Sequence, residues 1–174
     1  MTPRPHLSNT RHRRAARRLL TGAALVASWA AGDETVIRAW IAIESDEVPA
    51  DVVASWSQDD DVEAFLFTES ADGPPVAYGE LWLDHEAGDL ELARLLVAPE
   101  RRGQGVGRVF VRALVDRARR THPELSLVLL RVQPENSRAI RAYAAAGFVD
   151  VPTDEQATYN EGERIAYHWM VLPA

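Results

Sequence analysis

The residues best suited to chemistry in this chain lie in the stretch Leu92 to Arg108, LARLLVAPERRGQGVGR, where a basic, glycine-punctuated turn joins an apolar run to a helical pattern. Gly103, Gly105 and Gly107 stand at alternate positions, and glycine lets a backbone take positive φ and approach a ligand with no Cβ in the way. Val106, Phe110, Leu114 and Ala118 recur at helical spacing, which predicts a helix starting inside the glycine run. The unsatisfied N–H groups and dipole at such a helix start favour an anion, phosphate above all. Arg101, Arg102 and Arg108 add guanidinium groups whose planar fork suits phosphate oxygens. The plainer alternative is an ordinary strand-to-helix turn carrying a solvated charge cluster. Two familiar phosphate loops are excluded by spelling: the dinucleotide fingerprint needs glycine where Arg108 stands, and the ATP-type loop needs a Lys-Ser/Thr that is absent.

Such a turn works only if strands and helices hold it. Before it, Val62–Glu69 and Val76–Asp84 read as β-rich runs joined by the turn Asp72-Gly73-Pro74-Pro75, and Leu90–Ala98 returns as a third antiparallel strand. After it, the helix Gly105–Arg120 ends at His122-Pro123, with arginines in its last turn where the dipole is negative. Leu125–Gln133 is a nearly continuous apolar run, the signature of a buried strand, and it is expected to pair parallel to the strand ending near Pro99 in a βαβ unit. A helix over Ser137–Ala146 is stopped by Gly147. Phe148–Val151 and Ile165–Leu172 are closing strands around an acidic loop, Thr153–Glu163. Upstream, a short strand near Arg18–Leu20 and helices at Ala23–Ala30, Glu34–Ile43 and Ala50–Trp56 complete the order.

The length suits one domain with a substantial core. Residues 1–13 read as a mobile basic arm and 14–174 as a single domain. The stretch RRAARRLLTGAALVASWAAG also has the layout of a secretory leader, but its apolar part is rich in Ala, interrupted by Thr21, Gly22 and Ser28, and too short to span a bilayer. All 19 basic residues are Arg, and six of them precede Leu19 with no acidic residue among them, so the remaining 13 against 26 acidic residues leave the body at −13. An acidic body argues against general nucleic-acid binding and admits cationic, amine-bearing substrates. With no cysteine there is no thiol nucleophile or disulfide, the five histidines show no metal-ligand spacing, and the acidic turn Gln58-Asp59-Asp60-Asp61 lacks a following ligand pattern.

Arg102, Gly105 and Gly107 meet the pattern Arg/Gln-x-x-Gly-x-Gly/Ala, and Asn136, Tyr143, Gly147 and Phe148 follow as Asn…Tyr…Gly-Phe. Together these resemble the acetyl-CoA signature of the GNAT superfamily of N-acetyltransferases, over about Leu90 to Val151. The resemblance implies an α/β (α+β) fold: a mixed, mostly antiparallel sheet with a parallel βαβ core at the acetyl-CoA site, flanked by helices. It implies acetyl-CoA as cosubstrate, no metal, and an amine acceptor, in a cytoplasmic chain with no membrane or nucleic-acid partner that could pair as a homodimer. Cofactor contacts carried over are Leu96, Val97, Arg102, Gly103, Gln104, Gly105, Val106, Gly107, Arg108 and Asn136, with Val97 offering backbone groups to the pantetheine where its strand splays from its neighbour. Asn136 caps its helix or bonds the cofactor, roles that are not exclusive. Tyr143, two helical turns on, is the family's general acid for the departing thiolate, or else a core aromatic.

A base must take the amine's proton. Glu91 is the first candidate, at the position where some GNAT histone acetyltransferases carry a catalytic glutamate; Glu80, on the neighbouring strand, is the second. Other members place a glutamate in the strand before the Asn signature, where this chain has Arg131. Tyr78, Trp82, Trp29 and Trp40 could line an acceptor pocket, since aromatic faces attract cations, or fill the core. A non-catalytic acyl-CoA sensor of the same fold, and an interaction module using the basic arm, are the competing readings.

Overall fold

The computed structural model describes residues 6–9 and 16–173. Among the described residues seven strands form one mixed sheet in the order β1-β2-β3-β4-β5-β7-β6. They are β1 (His6–Asn9), β2 (Val62–Thr68), β3 (Pro75–Asp84), β4 (Asp89–Val97), β5 (Leu127–Val132), β6 (Val149–Asp150) and β7 (His168–Leu172). The helices are α1 (Ala16–Ser28), α2 (Glu34–Ile41), α3 (Ala50–Ser55), α4 (Val106–Thr121), α5 (Ser137–Ala146) and α6 (Thr153–Tyr159). Among the described residues every ladder is antiparallel except β4 with β5, the expected βαβ pair.

Helices cover both faces of the sheet. On one, Phe110 and Leu114 of α4 pack on Phe65, Phe67, Leu81, Leu90, Leu92 and Leu130. On the other, Val26 and Trp29 from α1 and the turn after it, Ile37 and Trp40 of α2 and Val53 of α3 enclose Tyr78 and Leu96. The central strand β3 is buried on both sides from Val76 to Leu81, a run that is small or apolar except for Tyr78 and Glu80. Asp33 starts α2 by accepting the Val36 N–H at 3.1 Å, and Ala42, at φ 57°, stops it two residues earlier than the expected Ile43.

Three expectations are corrected. Arg18–Leu20 lies within α1 rather than in a strand, since the Ala- and Leu-rich run there favours helix. The first sheet strand is instead His6–Asn9, inside the stretch read as a mobile arm; residues 1–5 and 10–13 of that arm lie outside the described residues. The acidic loop Thr153–Glu163 contains α6, whose Gln156 donates through Nε2 to Val151 O at 2.9 Å. Among the described residues no helix is long and apolar enough to cross a membrane.

Gly79 shows how tightly the sheet meets α4. A Cβ there would stand 2.4 Å from Leu95 Cδ2 and 3.0 Å from Phe110 Cζ. Gly79→Ala is therefore expected to destabilise the fold by about 1–3 kcal/mol through overpacking. Urea unfolding measures this, and an unshifted midpoint would show that Leu95 and Phe110 give way freely.

Candidate functional site

β4 and β5 pair only where Asp89–Glu91 faces Leu127–Leu129; beyond that, β4 continues to Val97 and β5 to Val132 without pairing to each other. β4 bends there through a bulge opposite Gly79, with Arg94 at φ 47°. The Arg94 carbonyl accepts the Trp40 Nε1–H at 2.8 Å, so α2 secures the bulge. The opening between the strands is a cleft of about 630 Å³, with Leu95, Leu96 and Val97 on one wall and Asn136, Arg138 and Tyr143 of the α5 region on the other.

The glycine turn closes one end of the cleft. Backbone N–H groups from Gly103 through Arg108 find no acceptor among the described residues. Gly103 at φ 80° and Gly105 at φ 82° permit that conformation, and Gly105 is the N-cap of α4. Successive free amides at a helix start make an anion cradle, and a pyrophosphate fits it chemically. Arg108 and Arg138 line the same end of the cleft.

Arg102 does other work than its charge suggests. Its Nε donates to Val97 O at 2.9 Å and its Nη2 to Trp29 O at 2.7 Å, tying the turn to the end of β4 and to the turn after α1. Burial draws its pKa below the usual guanidinium range. Asn136 caps α5, its Oδ1 accepting the Ala139 N–H at 3.1 Å, while it also lines the cleft. The Tyr143 hydroxyl has no hydrogen-bond partner among the described residues, and burial pushes its pKa up to about 12.

On the face shared with α1–α3, guanidinium and aromatic groups alternate in a stack. The Arg94 guanidinium lies 4.3 Å from the Trp56 ring centre and 4.8 Å from that of Trp82; Arg131 lies 5.5 Å from Trp82, 5.2 Å from Tyr167 and 5.3 Å from Trp169. Carboxylates anchor both arginines. Glu80, fully buried, accepts from Arg94 Nη1 at 2.8 Å, Trp82 Nε1 at 2.7 Å and the Tyr78 hydroxyl at 2.5 Å. Glu91 accepts from Arg131 Nε at 3.0 Å, and Glu163 pairs with the same guanidinium. Burial pushes the Glu91 carboxyl up from 4.5 to about 7, against the pull of Arg131.

The profile described as Acetyltransferase (GNAT) family matches residues 29–148. This chain belongs to the GNAT acetyltransferase family. Solved structures of similar fold include AAC(6')-Ib in complex with ribostamycin and coenzyme A (TM-score 0.72, 20% identity, covering 97% of this chain and 93% of that one). Another is the spermidine N-acetyltransferase from Vibrio cholerae in complex with CoA and spermine (0.65, 19%, 86% and 83%). A third is the ribosomal-protein-S18-alanine N-acetyltransferase from Escherichia coli (0.60, 19%, 97% and 93%). The protein is thus a GNAT acyltransferase.

Within this GNAT fold the expected cofactor residues divide. Leu96, Val97, Arg102, Gly103, Gly105, Gly107, Arg108 and Asn136 line the cleft; Gln104 and Val106 do not. Gln104 donates through Nε2 to Glu100 O at 2.7 Å and Val106 is buried in the core, so their contribution to the turn is their N–H. Gly107 lacks the positive φ expected of it, being the second residue of α4; a Cβ there would stand 3.7 Å from Val97 Cγ2. Tyr143 and Glu91 line different cavities, Glu91 opening onto one of about 590 Å³ shared with Trp82 and Trp169. Glu80 spends its oxygens on three internal donors, which suits an anchor better than a base. Of the aromatics, Trp40 lines the cleft, Trp82 stands in the stack, and Tyr78 and Trp29 are core. Arg138 in the cleft and Trp56, Tyr167 and Trp169 in the stack lie outside the expected residues; the sequence signals Arg138 only by its place two residues after Asn136.

Proposed function

We propose that the protein transfers the acetyl group of acetyl-CoA directly to a primary amine within a ternary complex. The observation that carries this reading is one cleft lined both by Gly103, Gly105, Gly107 and Arg108, whose N–H groups find no acceptor among the described residues, and by Tyr143, whose hydroxyl has no partner among them. The amides and Arg138 hold the pyrophosphate, and backbone groups of β4 near Val97 orient the pantetheine. The amine nitrogen attacks the thioester carbon, the carbon–sulfur bond breaks, and Tyr143 gives its proton to the departing thiolate. The amine's proton passes to Glu91 through water. Release of CoA thiol with a broad panel of amines tests the reading, and a protein that binds acetyl-CoA yet acetylates none of them would refute it.

The pairing of Glu91 with Arg131 favours one rival, an acyl-CoA sensor without turnover. Turnover of any amine excludes the sensor, and Glu91→Gln then tests the part of this carboxylate. A base titrating near 7 is protonated and idle in acid, so kcat/KM is expected to rise through pH 7 and level off above it. Glu91→Gln is expected to lower kcat/KM by about 10²-fold and to remove that limb. An unchanged pH–rate profile in the variant removes Glu91 from the mechanism. Stability carries the same shift with opposite sense: the folded state favours the protonated carboxyl, so this contribution is full below 4.5 and lost as pH rises through about 7.

A further inference from the structure

A donor cleft needs an acceptor surface, and a groove of about 1220 Å³ adjoins it, sharing Thr35, Ala39 and Asn136. One bank is the end of α2 and the turn after it, through Glu44; the other is the segment between α6 and β7, from Glu163 to Tyr167. Its charge is balanced although the body of the chain is strongly acidic. Arg38 and Arg164 stand with Glu44 and Glu135, none in an ion pair among the described residues, while Glu163 is taken by Arg131. A polycation would meet Arg38 and Arg164 as well as Glu44 and Glu135, so the groove offers it no net attraction.

Two further features point the same way. Ile43 and Ile165, 41% and 37% exposed, are among the few large apolar side chains the fold leaves open, and they belong to opposite banks. The backbone N–H and C=O groups of Arg164, Ile165 and Ala166 make no hydrogen bond with the described residues, while the N–H groups on either side, of Glu163 and Tyr167, are both held by Asn160. Three consecutive residues of unpaired backbone beside an apolar slot can add an extended peptide.

We infer that the acceptor is the N-terminal α-amine of a polypeptide, its first residues extended along this groove with an apolar side chain between Ile43 and Ile165. The inference rests on the acetyltransferase reading. The α-nitrogen attacks the thioester carbon, an amide forms as the carbon–sulfur bond breaks, one proton leaves the nitrogen and one is taken up by the CoA thiolate. An α-amine titrates at about 7.7–8.0 rather than the roughly 10.4 of a lysine, so near neutral pH a sizeable share of it is already the neutral nucleophile.

The test incubates the full chain and acetyl-CoA with short peptides beginning in Ala, Leu or Ser, with the same peptides blocked at the N-terminus, with spermidine and with an aminoglycoside. CoA thiol release gives rates and mass spectrometry locates the acetyl group. The expected result is α-amine acetylation of free peptides at a kcat/KM at least about tenfold above the polycations, and none of blocked ones. Ile165→Asp is expected to raise the peptide KM about tenfold with the acetyl-CoA Kd unchanged. Preference for spermidine or the aminoglycoside, acetylation of side-chain amines instead, or an unmoved peptide KM in Ile165→Asp overturns the inference and leaves the transferase reading intact. Acetyl-CoA binding without turnover of any peptide also overturns it. Failure to bind acetyl-CoA at all brings down both.

Discussion

Tyr143→Phe is expected to lower kcat by about 10²- to 10³-fold while the acetyl-CoA Kd stays within about twofold. The substitution removes one oxygen that has no partner among the described residues, so no internal hydrogen bond is lost and the fold should be untouched. The ring still packs against the core beside Phe148, with centroids 6.5 Å apart. What disappears is the proton aimed at the cleft. Burial holds the Tyr143 pKa near 12, so the hydroxyl stays protonated throughout the neutral range and the acid imposes no limb of its own there. Single-turnover kinetics beside calorimetric titration with acetyl-CoA separate the two quantities. A kcat within about threefold of the parent would leave the thiolate to be protonated by water and Tyr143 as a packing residue.

Glu80→Ala carries the largest expected effect on stability, about 3–5 kcal/mol, because removing one partner of a buried ion pair strands the other. The half-buried Arg94 guanidinium loses its counter-charge, and the Tyr78 hydroxyl and Trp82 indole N–H lose their acceptor, at a carboxylate that is itself fully buried. For a chain of this size the loss corresponds to a fall in Tm of roughly 10 °C. It should also reach the site, since Arg94 is the bulge residue that opens β4 away from β5. In the folded fraction at low temperature the acetyl-CoA Kd is expected to rise. Glu80→Gln, which keeps an acceptor oxygen, should cost less. Scanning calorimetry that shows Tm unmoved in Glu80→Ala would mean that Arg94 and its ring partners hold the bulge by themselves.

The legible parts of the fold were those whose partners lie close in sequence. The β2–β3 hairpin, the α4 start and the α5 cap with its Gly147 stop are settled within a few residues, and their spacing showed them. α6 was hidden because TDEQATY has no apolar stripe; it is held by Gln156 and Asn160, which bond Val151 and Tyr167. β1 lay in a Pro- and Arg-rich stretch, and only its pairing with β2 makes it a strand.

The same division runs through the site. The sequence by itself determined the row of exposed amides: glycines at Gly103 and Gly105 and a helix start at Val106 leave N–H groups open through local backbone geometry. Only the tertiary structure decided which charges remain for chemistry. Arg102 reaches a carbonyl 73 residues away at Trp29, Arg94 a carboxylate 14 residues away at Glu80, and Arg131 one 32 residues away at Glu163. A side chain's spare donors and acceptors depend on which groups the fold brings beside it, so the acceptor side could be described only after those pairings were known.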